Sequence, residues 1–349
     1  MRIQQSYAAV LTLALGLAAF AHPSNSAPLG PSPAPSAVAT PSVSQPADEL
    51  EPEQLEQLIN SLAELIEQTY IFEDVAKSIG ERLRQQLWDG RYEGISLETL
   101  AGRLTQDLRS VNNDLHLSAR PVTPADQTLN DLNPEELERR FLERARRSNY
   151  GFAKVEILQG NVGYLDLRGF TNTRLGGETA VAAMGFLANV DALIIDLRQN
   201  GGGSPSMVQL LTSYFFEEPT HLNSFQNRGQ EQIDQFWTLP HVPGKKLVDT
   251  PLFVLTSPRT FSAAEEFAYN LKNLERATIV GQTTGGGAHP GGTHLVGGLL
   301  DVFVPDGRAI NPITGTNWEG TGIEPHVAVQ GGAALDEAWR LAREATAKK

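Results

Sequence analysis

The chain has 349 residues, of which 40% are hydrophobic and 20% charged, enough for one large globular domain or two smaller ones. Acidic residues outnumber basic ones by 41 to 28 and give a formal charge of -13, which disfavours a nucleic acid as partner. There is no cysteine, so neither a disulfide framework nor a lipid-modified cysteine is available.

Residues 1–21 have the pattern of a signal peptide. Arg2 precedes an apolar run that ends at Ala19-Phe20-Ala21, and this small-x-small ending predicts cleavage after Ala21. The apolar run is about 14 residues long, shorter than the roughly 20 that span a bilayer, so an uncleaved anchor is the weaker alternative. Residues 22–48 are mostly Pro, Ser and Ala and predict a disordered linker or tether. We therefore expect a periplasmic or secreted protein with no membrane span after cleavage.

Four helices are predicted between residues 49 and 150, which we expect to form an N-terminal helical domain. Three are indicated by apolar residues at helical spacing. These stripes begin at Leu55, Val75 and Leu97. Ser96 is placed to cap the third helix. The fourth is predicted from Asn133-Pro134, a cap followed by proline, to about Ser148.

Residues 151–349 predict an α/β core, because short apolar runs alternate with helical stretches. The alternation around Val155 and the segment VGYLDL flank a Gly160-Asn161 turn, which predicts a hairpin. Three further runs predict buried, mostly parallel strands. They are ALIIDL (192–197), PLFVL (251–255) and ATIVG (277–281). The fold class is therefore expected to be α/β, with the helical domain in front.

Ser262 is the candidate nucleophile. It follows the strand PLFVL and opens the apparent helix SAAEEFAYNLKN, whose apolar residues repeat at helical spacing. A serine in this place projects its hydroxyl from the carboxyl end of a buried strand. The free amides of the helix start, that of Ala263 first, can stabilise an oxyanion. Position alone also allows an ordinary helix-capping serine.

A glycine-rich turn, Asn200-Gly201-Gly202-Gly203, follows the strand ALIIDL closely. Open α/β sheets bind their ligands at the carboxyl ends of strands, and glycines let backbone amides approach a ligand. The alternative is a tight turn that needs positive φ. No G-x-G-x-x-G pattern opens a helix here, so the turn is not a dinucleotide fingerprint.

Three histidines are candidate general bases or structural residues. His116 lies in the segment DLHL at the end of the helical domain, and the imidazole pKa of about 6.5 suits proton transfer at neutral pH. His289 and His294 are rival bases or metal ligands, but two histidines without a carboxylate motif disfavour zinc. Glu319, between an aromatic residue and a glycine, could orient an imidazole or form a loop salt bridge. No metal and no cofactor is expected.

Taken together, these segments resemble the tail-specific (carboxyl-terminal processing) serine peptidase superfamily, in its interphotoreceptor retinoid-binding-protein-like, tricorn-type branch. The resemblance spans about residues 55–330. The matching motifs, in chain order, are YIFEDVAKSIGERLRQQL with LTQDLRSVNNDLHL, GNVGYLDLRGF, DALIIDLRQNGGG, TSPRTFSAAEEFAYNLKN, GQTTGGGAHPGG and NWEGTGIEPHV.

The resemblance implies a spiral β-α core of the ClpP/crotonase kind behind the helical domain. It also implies that Ser262 is the nucleophile of an S-A-x-E motif, that His116 is its base, and that Glu319 is the carboxylate of the triad. The residues implied to form the oxyanion hole are Gly202, Ala263 and Gly201.

Two departures from the superfamily pattern bear on mechanism and substrate capture. Relatives with a Ser-Lys pair carry the lysine in a G-x-x-T-x-G-K segment, whereas Gly287 occupies that place here, so we expect no Ser-Lys mechanism. The stretch between His116 and Tyr150 is too short for the PDZ domain of many relatives.

The sequence favours a serine-type peptidase that acts on peptides or partly unfolded proteins. A carrier of hydrophobic ligands such as retinoids or fatty acids is the alternative, because vertebrate members of the branch are carriers. An inactive peptidase-like scaffold is a third hypothesis. The presence of a serine, a histidine and a glutamate at the family positions favours the enzyme.

Overall fold

The structure is a computed structural model, and it describes residues 49–123, 126 and 132–347. The predicted signal peptide and linker lie outside the described residues. In the part of the chain that is described, no helix is both long and apolar enough to cross a membrane.

The predicted N-terminal helices are present. The helices of the described residues are α1 (Pro52–Thr69), α2 (Glu73–Trp88), α3 (Leu97–Arg109), α4 (Pro134–Arg147), α5 (Thr173–Phe186), α6 (Pro205–Thr212), α7 (Ala263–Asn273) and α8 (Ala334–Thr346). The two predicted caps are confirmed, because the side chain of Ser96 accepts the Thr99 N–H and that of Asn133 accepts the Glu136 N–H.

The central sheet has six strands in the order β12-β8-β7-β4-β3-β2. Its strands are β2 (Phe152–Leu158), β3 (Val162–Leu167), β4 (Ala192–Asp196), β7 (Leu252–Thr256), β8 (Thr278–Gly281) and β12 (Val327–Ala328). Strands β2 and β3 form the predicted antiparallel hairpin, and the other pairings are parallel. Every residue of β4 and β7 is buried, as their continuous apolar runs predict.

Two three-stranded sheets, β1-β10-β9 and β11-β5-β6, complete the fold. Their strands are β1 (Ser118–Pro121), β5 (His221–Asn227), β6 (Ile233–Trp237), β9 (Gly291–Val296), β10 (Leu300–Pro305) and β11 (Gly307–Ile310). Helices α1 to α3 share one hydrophobic core with β1, β9 and β10, in which Leu62, Leu104 and Val302 are fully buried. The helical region therefore packs onto strands from the second half of the chain, and its division at residue 150 stays a prediction.

The central sheet brings the two candidate turns to one edge. Strands β4 and β7 are parallel neighbours, with Ile195 opposite Val254. The glycine-rich turn follows β4 and Ser262 follows β7, so both lie beyond the carboxyl ends of these strands. Helix α7 is held against the sheet by an apolar face that includes the fully buried Phe267. The α/β class, with an N-terminal helical region and a central mixed sheet, is confirmed.

Candidate active site

Ser262 precedes the first turn of α7 and has an unusual backbone conformation. Its φ is 54° and its ψ is -123°, a combination that side-chain-bearing residues rarely adopt. Its N–H donates to Glu265 Oε2 at 2.9 Å. The amide of Ala263 has no acceptor among the described residues. The half-buried serine therefore stands beside an amide that is free to bind an anion.

The Glu265 side chain joins the Ser262 turn to the glycine-rich loop that follows β8. Besides the Ser262 amide, it accepts the amides of Gly286 and Gly287 at 2.7 and 2.9 Å and the hydroxyl of Thr284. Burial raises the pKa of this carboxyl to about 7, although these hydrogen bonds oppose the change. Glu265 had no predicted role of its own. The available signal was a glutamate three residues after a cap serine, the pattern of a capping box.

The turn after β4 packs directly against Ser262. Gly202 has a φ of 113°, and a Cβ atom there would lie 2.8 Å from Ser262 Cβ and 3.0 Å from Ala263 N. The Gly202 amide donates to Asn200 Oδ1 at 2.9 Å, whereas the exposed Gly201 amide has no acceptor among the described residues. Glycine is required at 202 because the turn and Ser262 approach so closely.

His116 lies in the turn between α3 and β1, against two aromatic rings. Its ring centroid is 4.6 Å from that of Phe261, the residue before the candidate nucleophile, and 5.6 Å from that of Phe303. Its Nδ1 atom is buried and has no hydrogen-bond partner among the described residues. Burial lowers the pKa of His116 to about 4, partly offset by the charge of Asp114. The imidazole is therefore neutral at pH 7, the state that a general base requires.

The Glu319 side chain binds backbone amides of two separate segments, the turn before His116 and the glycine-rich loop after β8. Its Oε1 accepts the Leu115 N–H at 3.3 Å, and its Oε2 accepts the Ala288 N–H. Burial, and then the negative charge of Asp114, raises the pKa of Glu319. Among the described residues no hydrogen bond joins Ser262 to His116, or the His116 ring to Glu319. Ser262, His116 and Glu319 therefore lie in the same region of the fold, but hydrogen bonds do not connect them into a triad.

Asp114 and His289 form a buried pair beside Glu319. His289 Nδ1 is 2.7 Å from Asp114 Oδ2 and 3.5 Å from Glu319 Oε2. Burial acts to raise the pKa of Asp114, but the hydrogen bond from His289 and the charges of both neighbouring histidines outweigh it and lower the pKa below its usual value. His289 was predicted only as a rival base or metal ligand, and Asp114 had no predicted role.

The same trio has three potential metal-donor atoms within 4.8 Å of one another. These atoms already take part in hydrogen bonds with each other and with backbone amides. We therefore assign no metal to the trio. His294, the other rival base, lies on β9 opposite Val302 of β10 and is not part of this cluster.

Gly287 occupies the place of the lysine in Ser-Lys relatives. A Cβ atom there would lie 2.1 Å from Phe261 Cζ and 2.6 Å from His116 Cε1. The Phe261 and His116 rings thus fill the space that a side chain at position 287 would need.

The fold is similar to solved structures at low sequence identity. A candidate peptidase from Parabacteroides merdae matches with a TM-score of 0.59 at 19% identity, over 82% of this chain and 96% of that one. Mature CPAF complexed with lactacystin matches with a TM-score of 0.59 at 13% identity, over 85% of this chain and 100% of that one. The tricorn protease matches with a TM-score of 0.53 at 13% identity, over 84% of this chain and 37% of that one. At such identities these matches show the fold alone.

Two models of one family match the chain in succession. The model for the N-terminal domain of Peptidase S41 in eukaryotic IRBP matches residues 52–144, which include His116. The model of peptidase family S41 matches residues 161–329, which include Ser262 and Glu319. The chain therefore belongs to peptidase family S41, and as a member of that family it is a serine-type peptidase, a hydrolase.

Proposed function

We propose that the chain hydrolyses peptide bonds in peptides or partly unfolded proteins, with Ser262 as nucleophile, His116 as base and Glu319 as the supporting carboxylate. The observation that carries the proposal is the conformation of Ser262. A serine with a φ of 54° at the start of a helix, beside an unpaired Ala263 amide, is strained in the manner of functional sites. Family membership supplies the reaction class.

In the first step, neutral His116 takes the proton of the Ser262 hydroxyl as the serine oxygen attacks the peptide carbonyl. The carbonyl π bond breaks and its electron pair moves to the oxygen. His116 then gives the proton to the leaving amine as the C–N bond breaks, which leaves an acyl-enzyme. Water, activated by the same histidine, releases the acyl group and restores the serine.

The negative charge on the carbonyl oxygen is stabilised by backbone amides. The Ala263 amide is the first donor, because it is unpaired and belongs to the start of α7, where the helix dipole favours an anion. The second donor comes from the Gly201-Gly202 turn. The Gly201 amide is unpaired, whereas the Gly202 amide must first leave Asn200 Oδ1.

Glu319 is proposed to fix the tautomer of His116 when substrate binds. The Nδ1 atom of His116 is unpaired, and Glu319 Oε1 is bound one residue away, on the Leu115 amide at 3.3 Å. A bond of that length is weak, and catalytic hydrogen bonds often tighten only in the substrate complex. In the proposed active state, Oε1 keeps the Leu115 N–H and accepts the Nδ1–H of His116 with its second lone pair.

The substrate and the location are also proposals. An extended or unfolded chain can pair with a sheet edge, which suits a peptidase that recognises main chain more than side chains. The signal-peptide pattern of residues 1–21 supports export, and we propose a periplasmic or secreted location.

A fluorophosphonate tests the nucleophile and its base together. We expect the purified protein to gain one covalent adduct on Ser262, located by mass spectrometry of its peptides. The His116→Ala variant should react at least about 10²-fold more slowly, because its serine has lost the base. No adduct on folded wild-type protein would favour the carrier or the inactive scaffold, and binding of a hydrophobic ligand by that protein would select the carrier.

The activity should persist to unusually low pH. The pKa of His116 is lowered to about 4, so the imidazole stays neutral as the pH falls from 7 to 5 and becomes protonated only near 4. We expect kcat/KM to fall through about pH 4, and the NMR signal of the His116 ring to titrate with the same midpoint. A midpoint near 6.5 in both measurements would show that burial does not act on the base as described. A separate change near pH 7 would report Glu265 instead.

A further inference from the structure

His289 lies between two carboxylates, and the proposed mechanism gives it no role. Its Nδ1 atom is 2.7 Å from Asp114 Oδ2 and 3.5 Å from Glu319 Oε2. His289 is 5% exposed and Asp114 is fully buried, so little solvent screens these groups from one another. The Phe72 ring packs edge-to-face on His289, with 5.3 Å between centroids.

The two carboxylates hold the turn that carries His116. Asp114 Oδ1 accepts the His116 N–H at 3.0 Å, and Glu319 Oε1 accepts the Leu115 N–H at 3.3 Å. Two consecutive amides are thus bound by carboxylates from segments about 200 residues apart in the chain. The position of His116 therefore depends on how Asp114 and Glu319 are placed relative to each other.

A proton donor is needed between these carboxylates. Two ionised carboxylates in a buried site repel, and one of them takes up a proton unless a donor compensates the charge. An ionised carboxylate can only accept, so the Nδ1 atom of His289 carries the proton in its bond to Asp114. The hydroxyl of Tyr70 also donates to Asp114 Oδ2, at 2.9 Å, and the Ala288 amide donates to Glu319. His289 Nδ1 lies close to both carboxylates, in a hydrogen bond with Asp114 and 3.5 Å from Glu319 Oε2.

We infer that His289 is a positioning residue of the peptidase site, which ties Asp114 to Glu319 and thereby fixes the turn that presents His116 to Ser262. The inference rests on the proposed role of His116 as base. His289 acts through the backbone of Leu115 and His116, and its Nδ1–H is committed to Asp114, so it takes no proton from the serine.

Two variants separate the hydrogen bond of His289 from its bulk. His289→Leu replaces the imidazole with an apolar side chain of similar size and so removes the donor, whereas His289→Asn can place an N–H where Nδ1–H stood. We expect His289→Leu to lower kcat and the rate of fluorophosphonate labelling at Ser262 by about 10²-fold with little change in KM, because a misplaced catalytic group mainly affects the chemical step. His289→Asn should recover most of that loss. His241→Leu changes an exposed histidine outside the cluster and should match the wild type.

The NMR signal of the His116 ring is recorded for each protein, so that a result is obtained even without activity. We expect His289→Leu to shift this signal and its titration midpoint, and His289→Asn to restore both. The inference is overturned if His289→Leu is labelled at the wild-type rate. It is also overturned if a folded His289→Asn variant is labelled as slowly as His289→Leu. Should His289→Leu fail to fold, the Asn variant decides alone: near-wild-type labelling supports the inference, and a loss above 10-fold contradicts it. If the wild type itself is not labelled, the proposed function fails. In that case the positioning role is tested separately, and an unchanged NMR signal of the His116 ring in the variants overturns it.

Discussion

The substitution Ser262→Gly is expected to lower kcat/KM by on the order of 10⁴–10⁶-fold and, at the same time, to give a more stable protein than Ser262→Ala. Both variants lose the hydroxyl of the proposed nucleophile, so both should lose hydrolysis to the same extent. They differ in the backbone. Only glycine adopts a φ of 54° with a ψ of -123° without a steric penalty.

The expected stability difference follows from two opposing terms. Backbone strain of this kind costs about 1–3 kcal/mol, which glycine removes and alanine does not. Glycine also loses about 0.5–1 kcal/mol more conformational entropy on folding. The free energy of unfolding should therefore be about 1 kcal/mol higher for Ser262→Gly than for Ser262→Ala, and at most about 2.5 kcal/mol higher.

Urea unfolding and peptide hydrolysis, measured on both variants, test the two parts separately. Asn161→Gly in the β2–β3 turn is the control, because Asn161 also has a positive φ, 56°, but asparagine tolerates it. Equal stability of the two Ser262 variants would show that the serine is not strained. Hydrolysis at the wild-type rate by either would show that Ser262 is not the nucleophile.

The placement of Ser262 could be predicted from the sequence because its signals are local. A continuous apolar run gives a buried strand, and a cap residue followed by apolar residues at helical spacing gives a helix. The parallel pairing of β4 and β7 then brings the glycine-rich turn to the same edge. The smaller sheets were not predicted, since β9 opens on two glycines in a segment whose glycines indicate loops.

The electrostatic contacts of the site could not be predicted in this way, because they join residues far apart in the chain. Glu319 binds the Leu115 amide across 204 positions, and His289 binds Asp114 across 175. Spacing carries no information about such pairs. Family resemblance named Glu319 as the triad carboxylate, but its contacts with the Leu115 and Ala288 amides, where a bond to His116 was expected, appear only in the structure.

Gly287→Ala is expected to lower kcat/KM by about 10²–10³-fold, although residue 287 donates no side chain to the reaction. The new methyl group would lie 2.1 Å from Phe261 Cζ and 2.6 Å from His116 Cε1, far inside contact distance. Both rings must move to admit it, and the His116 ring would then leave its place beside the proposed nucleophile. Overpacking of this kind should also lower the free energy of unfolding by about 1–3 kcal/mol.

The matched control for this substitution is Gly102→Ala, in the middle of α3. A Cβ atom at position 102 meets no heavy atom within 4 Å, so this variant should keep full activity and gain about 0.5–1 kcal/mol from the better helix former. If the folded Gly287→Ala variant hydrolyses peptides at the wild-type rate, the His116 ring can accommodate the methyl group without losing its function. A loss of activity much larger than the loss of stability explains would instead indicate that the imidazole proposed as base needs the space at position 287. Catalysis would then require a glycine at the position where Ser-Lys relatives carry their lysine.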